Sequence, residues 1–316
     1  MSRKSLARLM VAAALSLPCG AAFAASSSPA DLSPDALSLN TPAPTAVPKM
    51  LADATAPRRI SADAGVTFAS DYISRGIQLE NQGLIAQPYG NLYFTAYEGA
   101  GAVSKFTLFG GVWSSLHSEH TGATPDSFVE SWYEFDWDAG VAIDIGEFNL
   151  NVMYIEFISP NGAFGTAHNL QVKLSYNDSD SPFPVSPYAI AFFELDGKAG
   201  TGSDEGIYIE LGVAPGFALG GGDNAPRLTF PIYVGLGVSD FYQDADGDDQ
   251  FFGYAAGGVV LSTPLAFMND AGYGTWTLSV GGYFYYFGDG VRDANEAIGT
   301  DTDWDVVGNV SLGVAF

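Results

Sequence analysis

The chain has 316 residues and carries 36 Asp and Glu against 12 Lys and Arg, a formal charge of −24. So acidic a balance excludes nucleic-acid binding, which needs a basic footprint, and favours cations as partners. No segment comes near the run of about 18 apolar residues that a membrane-spanning helix requires, so helical spans are excluded as well.

At the N-terminus Arg3, Lys4 and Arg8 precede the apolar run 9–17, and Ala22, Phe23 and Ala24 follow. A charged start, a short apolar core and an A-x-A-like site predict a secretory signal peptide over residues 1–24. Cys19, the sole cysteine, lies before the expected cut, and Pro18 stands where a lipoprotein signal wants a small residue. The mature chain is therefore expected to hold neither a disulfide nor a thiol nucleophile. Cleavage would remove three cations and no acid, leaving nine basic residues against 36 acidic ones and a formal charge of −27. Residues 25–61 then place Pro29, Pro34, Pro42, Pro44, Pro48 and Pro57 among Ala, Ser and Thr. Such a composition neither packs a core nor sustains a strand ladder, and reads as a disordered periplasmic leader.

Beyond the leader the pattern changes to short tracts of period two. In the last, Val310, Leu312, Val314 and Phe316 alternate with Asn309, Ser311, Gly313 and Ala315. In another, Leu228, Phe230, Ile232, Val234, Leu236 and Val238 alternate with small and polar residues. One apolar face per strand needs either a common core or lipid. Low charge, 14% aromatic residues and 38 glycines favour lipid, with small and polar faces turned to a lumen. Twelve strands are expected near 64–75, 87–97, 104–116, 129–145, 147–158, 167–177, 185–195, 205–214, 227–239, 251–262, 274–287 and 304–316. The predicted fold is all-β: a transmembrane antiparallel up-and-down barrel of about 12 strands over residues 62–316. An even count puts both ends in the periplasm and the polar segments 75–86, 117–127, 196–205, 240–250 and 288–303 outside the cell. The connections 214–227 and 263–273 are longer than periplasmic turns usually are. Pro231 would remove a ladder donor from its strand, so a bulge is expected there.

Two motifs resemble a known family. Ser70–Gly76 reads S-D-Y-I-S-R-G and Trp132–Gly140 reads W-Y-E-F-D-W-D-A-G, followed by a tight turn and the aromatic strand Phe148–Phe157. Both are similar to the opening and the acidic–aromatic strand of the TorF-type porin family, also named Gcw_chp. The chain departs from that family at Ile158, Ser159 and Pro160, where Tyr-Pro is usual. The resemblance implies a barrel in the bacterial outer membrane and a pore, without a substrate.

Several residues are candidates for chemistry. On the first strand Asp71 and Arg75 share the inward parity, which suits a charge pair that polarises the pore or a structural lumen salt bridge. On the fourth, Glu134, Asp136, Asp138 and Asp144 share one parity. Carboxylates cannot face hydrocarbon, so they must line water or meet cations. Lys173 and Glu210 are expected inward on later strands, as are Tyr208, Tyr233, Tyr283 and Tyr285, which could instead fill the interior. An excess of inward acid attracts cations and repels anions. His117, His120 and His168 map near the outer ends of strands, with no H-E-x-x-H or G-x-S-x-G frame around them. In the loop D-A-D-G-D-D, the oxygens of Asp244, Asp246, Asp248 and Asp249 around Gly247 suit weak Ca²⁺ binding that bridges to lipopolysaccharide, or a solvated acidic loop. No other cofactor is expected. The function expected is passive, mildly cation-selective diffusion of small solutes across the outer membrane, with outer-membrane lipid and lipopolysaccharide as surroundings. A closed structural or adhesive barrel and a rim-located lipid-modifying enzyme are the alternatives.

Overall fold

The computed structural model describes residues 59–119, 121–122, 129–222, 224–269, 274–297 and 299–316. The expected signal peptide and all but the last residues of the expected leader lie outside the described residues, as does His120. The barrel begins with β1 (Ile60–Ala69), whose chain then makes a short hairpin of β2 (Tyr72–Ser74) and β3 (Ile77–Glu80). Next come β4 (Ile85–Glu98), β5 (Val103–His117), β6 (Trp132–Ile145), β7 (Phe148–Ile158), β8 (Ala167–Tyr176) and β9 (Tyr188–Asp196). The chain continues through β10 (Ile207–Val213), β11 (Gly216–Ala218), β12 (Arg227–Thr229), β13 (Ile232–Ser239) and β14 (Phe252–Pro264). Helix α1 (Ala266–Asn269), β15 (Thr275–Phe287), helix α2 (Asp289–Ala297) and β16 (Trp304–Ala315) complete it.

Apart from β2 and β3, every strand pairs antiparallel with its neighbours, and β16 returns to β1 over the register Asp63–Ala315 to Ala69–Asn309. Counting β10 with β11 and β12 with β13 as single staves, this is a closed barrel of 12 strands. Each expected tract became a stave, with ends shifted by a few residues. The seam is held to the last residue, since Phe316 N–H donates to the Ala62 carbonyl at 2.8 Å.

Two departures from regularity have local causes. The stave β12–β13 breaks at Phe230 and Pro231, where proline has no N–H to give the ladder. Phe230 N–H instead donates to the Pro215 carbonyl at 2.8 Å, and Gly258 N–H donates to Pro231 at 2.8 Å, so the neighbours bridge the interruption. The first stave stops at Ala69 rather than running on to residue 75, and the chain after it turns back into the barrel.

The two faces of the wall differ as a lipid-embedded barrel requires. Phe68, Leu108, Val112, Leu174, Leu211, Val280 and Val310 project outward and are exposed. Exposed aromatic residues gather near both ends of the staves: Tyr97, Phe148 and Tyr176 on the side of the chain termini, Trp132, Trp137, Tyr286 and Trp304 on the other. An apolar band between two aromatic girdles is the exterior of a membrane barrel.

Candidate functional site: the filled interior

The half of the barrel away from the termini is packed. Its plug is the β2–β3 hairpin, whose central residues are Arg75 at φ 47° and Gly76 at φ 85°. Two successive left-handed residues between the paired Ser74 and Ile77 make a type I′ turn, whose twist matches the strands it joins. The hairpin enters the lumen tip first, leaving Tyr72 only 1% exposed and Arg75 5%. Three elements grip it. The Tyr72 hydroxyl donates to Glu134 at 2.7 Å on β6. Tyr242, in the loop after β13, donates its hydroxyl to the Arg75 carbonyl at 2.7 Å. From α2, Asn295 Nδ2 donates to the Gly76 carbonyl at 3.2 Å, while its Oδ1 accepts Gln78 N–H at 2.8 Å.

Around this hairpin lies an aromatic cluster. Phe157, Phe192, Tyr208, Tyr254, Phe241 and Tyr242 are all buried within one core. The hydroxyls of Tyr208 and Tyr254 meet at 2.8 Å, as do those of Tyr233 and Tyr285. Glu210 accepts from Tyr188 at 2.8 Å, Tyr208 at 2.5 Å and Tyr254 at 2.9 Å, so one carboxylate anchors three phenols.

The residues singled out in the sequence are placed as follows. Parity was right for the acidic stave: Glu134, Asp136, Asp138 and Asp144 all point inward. Glu134 and Asp136 are nevertheless only 4% and 6% exposed beneath the hairpin, so with the hairpin seated they do not face an open lumen. Asp138 is half-buried on the open side of the plug. Asp144 sits near the opposite mouth and accepts Asn149 Nδ2 at 2.6 Å. Lys173 is half-buried, its ammonium 5.2 Å from the Tyr188 ring centre. Asp71 and Arg75 are not two rungs of one strand: Asp71 lies just past β1 and accepts Ser70 Oγ at 2.6 Å and Gln78 Nε2 at 3.3 Å, whereas Arg75 is the hairpin tip. The Arg75 guanidinium lies over Phe192 and Phe157, at 4.0 and 5.1 Å from the ring centres, and its Nη1 donates to Ser74 Oγ at 3.2 Å.

His117 is buried, stacked 4.6 Å from Tyr133, with Nδ1 3.8 Å from the Glu80 carboxylate. Tyr133, on the parity opposite to the four acids, is turned inward because the β5–β6 register slips between Ser115 and Leu116, a bulge that re-aims one side chain. His168 faces out with Glu156 at 3.7 Å, and Tyr154 Oη lies 2.6 Å from its Nδ1. In the acidic loop, Asp244 Oδ1 accepts the N–H groups of Asp246 and Asp248, both at 3.0 Å, and its Oδ2 accepts Gln250 Nε2 at 2.6 Å. The N–H of Asp248 is the main cause that holds the Asp244 carboxyl below the usual carboxylate range. That carboxylate is already engaged in shaping the turn, and among the described residues no three His, Cys, Asp or Glu side chains converge on a point where a metal could sit. Sequence reasoning missed Gln78 on the plug itself, and Tyr242 and Asn295, which hold it. Their one available signal was the Arg-Gly pair at positions 75 and 76.

No family model matches the chain, and no curated protein matches it. Among solved structures it is similar to a membrane protein from work on in-meso crystallisation, at 11% identity over 81% of this chain and 84% of that one, with a TM-score of 0.44. It is also similar to the β domain of the Bordetella autotransporter BrkA, at 10% identity over 81% and 99%, TM-score 0.38. A porin shares 11% identity over 81% and 99%, TM-score 0.29. Each is a distant likeness of fold.

Proposed function

We propose that this chain is a bacterial outer-membrane barrel, closed at rest by the β2–β3 hairpin, that passes small solutes, cations ahead of anions, when the hairpin withdraws. The observation that carries this reading is the hairpin itself, a two-residue turn driven into the lumen and held by side-chain hydrogen bonds rather than by the barrel's ladder. Side-chain bonds can be exchanged for water at modest cost, about 1 kcal/mol each net, whereas a stave cannot leave without opening the barrel. Withdrawal would uncover Glu134 and Asp136 next to Asp138, at alternate positions about 7 Å apart along the strand. Within a Debye length of about 8 Å their fields overlap and favour K⁺ over Cl⁻. The resemblance of residues 70–76 and 132–140 to the TorF-type porins supports a pore as well.

A second reading, a permanently sealed structural barrel, is favoured by the linked tyrosines around Glu210. Planar-bilayer recordings separate the two. Wild-type protein is expected to be silent apart from rare openings, and a variant with residues 72–80 replaced by a Gly-Ser linker to conduct steadily with K⁺ preference. Changing Glu134, Asp136 and Asp138 to amides in that variant should abolish the preference. Steady conductance of the wild type refutes the closed state, and silence of the linker variant leaves the sealed barrel.

A further inference from the structure

One wall of the interior and the hairpin tip that faces it carry a set of polar atoms with no hydrogen-bond partner among the described residues. Nε and Nη2 of Arg75, Nε1 of Trp113, Oδ1 of Asp136, Oδ1 of Asn151, both amide atoms of Asn169 and Oε1 of Gln171 are buried without a hydrogen-bond partner. Buried polar groups are nearly always partnered, so a group of eight is no accident of packing. Apart from the two on Arg75, which is the hairpin tip, they lie on consecutive staves β5 to β8. Trp113 pairs with Asp136, Asp136 with Phe157, and Gln171 with Phe192. Arg75 lies over the last two of those rings.

Arg75 is the centre of the set. The Nε–Nη2 edge of a guanidinium presents two parallel N–H donors, the fork that fits a planar carboxylate. Asp136 lies within charge range of Arg75 but makes no hydrogen bond to that fork, its side chain bonding instead to Glu134, which in turn accepts Tyr72. The backbone adds weight. Arg75 occupies the first central position of a type I′ turn at φ 47°, where Asn, Asp or Gly sits with less strain. Turn geometry alone would not select arginine there.

We propose that Arg75, Asn169 and Gln171 form a binding site for a small monocarboxylate bearing a hydroxyl or carbonyl beside its carboxylate. The carboxylate would take the Nε–Nη2 edge, the neighbouring oxygen would take the amides, and Phe157 and Phe192 would floor the site. The adjoining Glu134 and Asp136 disfavour a dianion such as phosphate. These atoms are fully buried with the hairpin seated, so the solute joins when the hairpin loosens without leaving the wall; the inference rests on the gated reading above and names a ligand held at the gate, distinct from the cations that pass once it withdraws.

The test is equilibrium dialysis of the detergent-solubilised protein against radiolabelled lactate, with unlabelled lactate, its neutral relative propane-1,2-diol, and inorganic phosphate as competitors. Saturable binding is expected, displaced by lactate and by neither of the others. Arg75→Gln should weaken it by about tenfold or more, the loss typical of charged hydrogen bonds, and Arg75→Lys should fail to restore it because an ammonium has no fork. Gln171→Leu, which leaves the turn untouched, should also weaken binding and serves if the Arg75 variants do not fold. Uptake that never saturates, or binding by Arg75→Gln and Gln171→Leu equal to that of the wild type, overturns the site. Displacement by phosphate as effective as by lactate overturns the carboxylate class. Loss of binding evidence with steady conductance of the linker variant removes this site and leaves the gate standing.

Discussion

Gly76 is the residue at which one methyl group should open the barrel. It sits at φ 85°, and a Cβ placed there would lie 2.8 Å from Tyr254 Cδ1, 3.1 Å from Cγ and 3.2 Å from Cβ. An L residue in the left-handed region costs about 1–2 kcal/mol, and forcing a methyl into a packed core costs about 1–3 kcal/mol more. Tyr254 has little room to retreat. Its ring centre is 6.0 Å from those of both Tyr233 and Tyr285, and its hydroxyl is committed to Glu210 at 2.9 Å. Only the seated hairpin suffers both penalties, because a withdrawn turn can relax its backbone and leaves Tyr254 behind. Gly76→Ala should therefore raise the closed state by about 2–5 kcal/mol. At about 1.4 kcal/mol per factor of ten, the opening equilibrium rises about 30- to 4,000-fold. Single-channel open probability reads that change directly, and heat-modifiable gel mobility verifies that the barrel is assembled. An assembled Gly76→Ala barrel as silent as the wild type would refute the displaceable plug.

Two further outcomes follow from the wall and from the loop. Val280→Arg places a charge on the lipid face and should cost about 2–4 kcal/mol of barrel stability if near the midplane. The inward Gly235 is no milder a site, contrary to the simple expectation for a watery lumen, because a Cβ there would overlap the Tyr254 ring; urea unfolding in micelles of Val280→Arg and Gly235→Val should show comparable losses, and a neutral Gly235→Val would mean the interior is not packed. Asp244 supplies a pH test: its folded carboxyl titrates below the ordinary value of 3.8, chiefly because the Asp248 N–H bonds it, so its contribution to loop order is complete above 3.8 and disappears as pH falls through the depressed value. The Asp246 and Asp248 amide resonances should shift together at that acid transition and lose it in Asp244→Ala; amides that stay flat on acidification would contradict the turn.

The wall of this barrel was readable from its sequence because a lipid-facing strand states its orientation every second residue. The alternation in β6 that put Glu134, Asp136, Asp138 and Asp144 inward is the alternation the structure shows. Parity reports a side, however, and not what lies on it. Whether Asp136 meets water or a hairpin depends on residues 72–80, and the run Tyr72–Ser74 keeps the same period as the strand before it. Continuation and reversal therefore look alike until the turn, and Arg-Gly lacks the Asn-Gly signature of a type I′ hairpin. Tyr133 escaped for a related reason, since a bulge shifts register without leaving a mark in the hydrophobic pattern.

The interior is also unequal in how well it is satisfied, which indicates how it would open. On the β10–β16 side, tyrosines lie over glycines whose missing Cβ makes room for them: Tyr254 over Gly235, Tyr242 over Gly237 and Gly253, Tyr283 over Gly258. Aromatic cover of sheet glycines is a packing device of β-barrels. Here the hydroxyls of Tyr208, Tyr254, Tyr233 and Tyr285 are joined to one another as well. Among the described residues that side leaves one buried polar atom unpartnered, Thr277 Oγ1, so it has little polar debt to relieve by letting water in. The β5–β8 wall has one, since each buried unpartnered donor or acceptor there costs about 1–3 kcal/mol. Water admitted between the hairpin and that wall would be repaid in hydrogen bonds, whereas water admitted among the tyrosines would only break them. Opening should therefore run along β5–β8, the wall that carries Glu134, Asp136 and Asp138. The same asymmetry would put a permeating ion beside the acids, and would join the proposed gating to the proposed cation preference without a separate device for each.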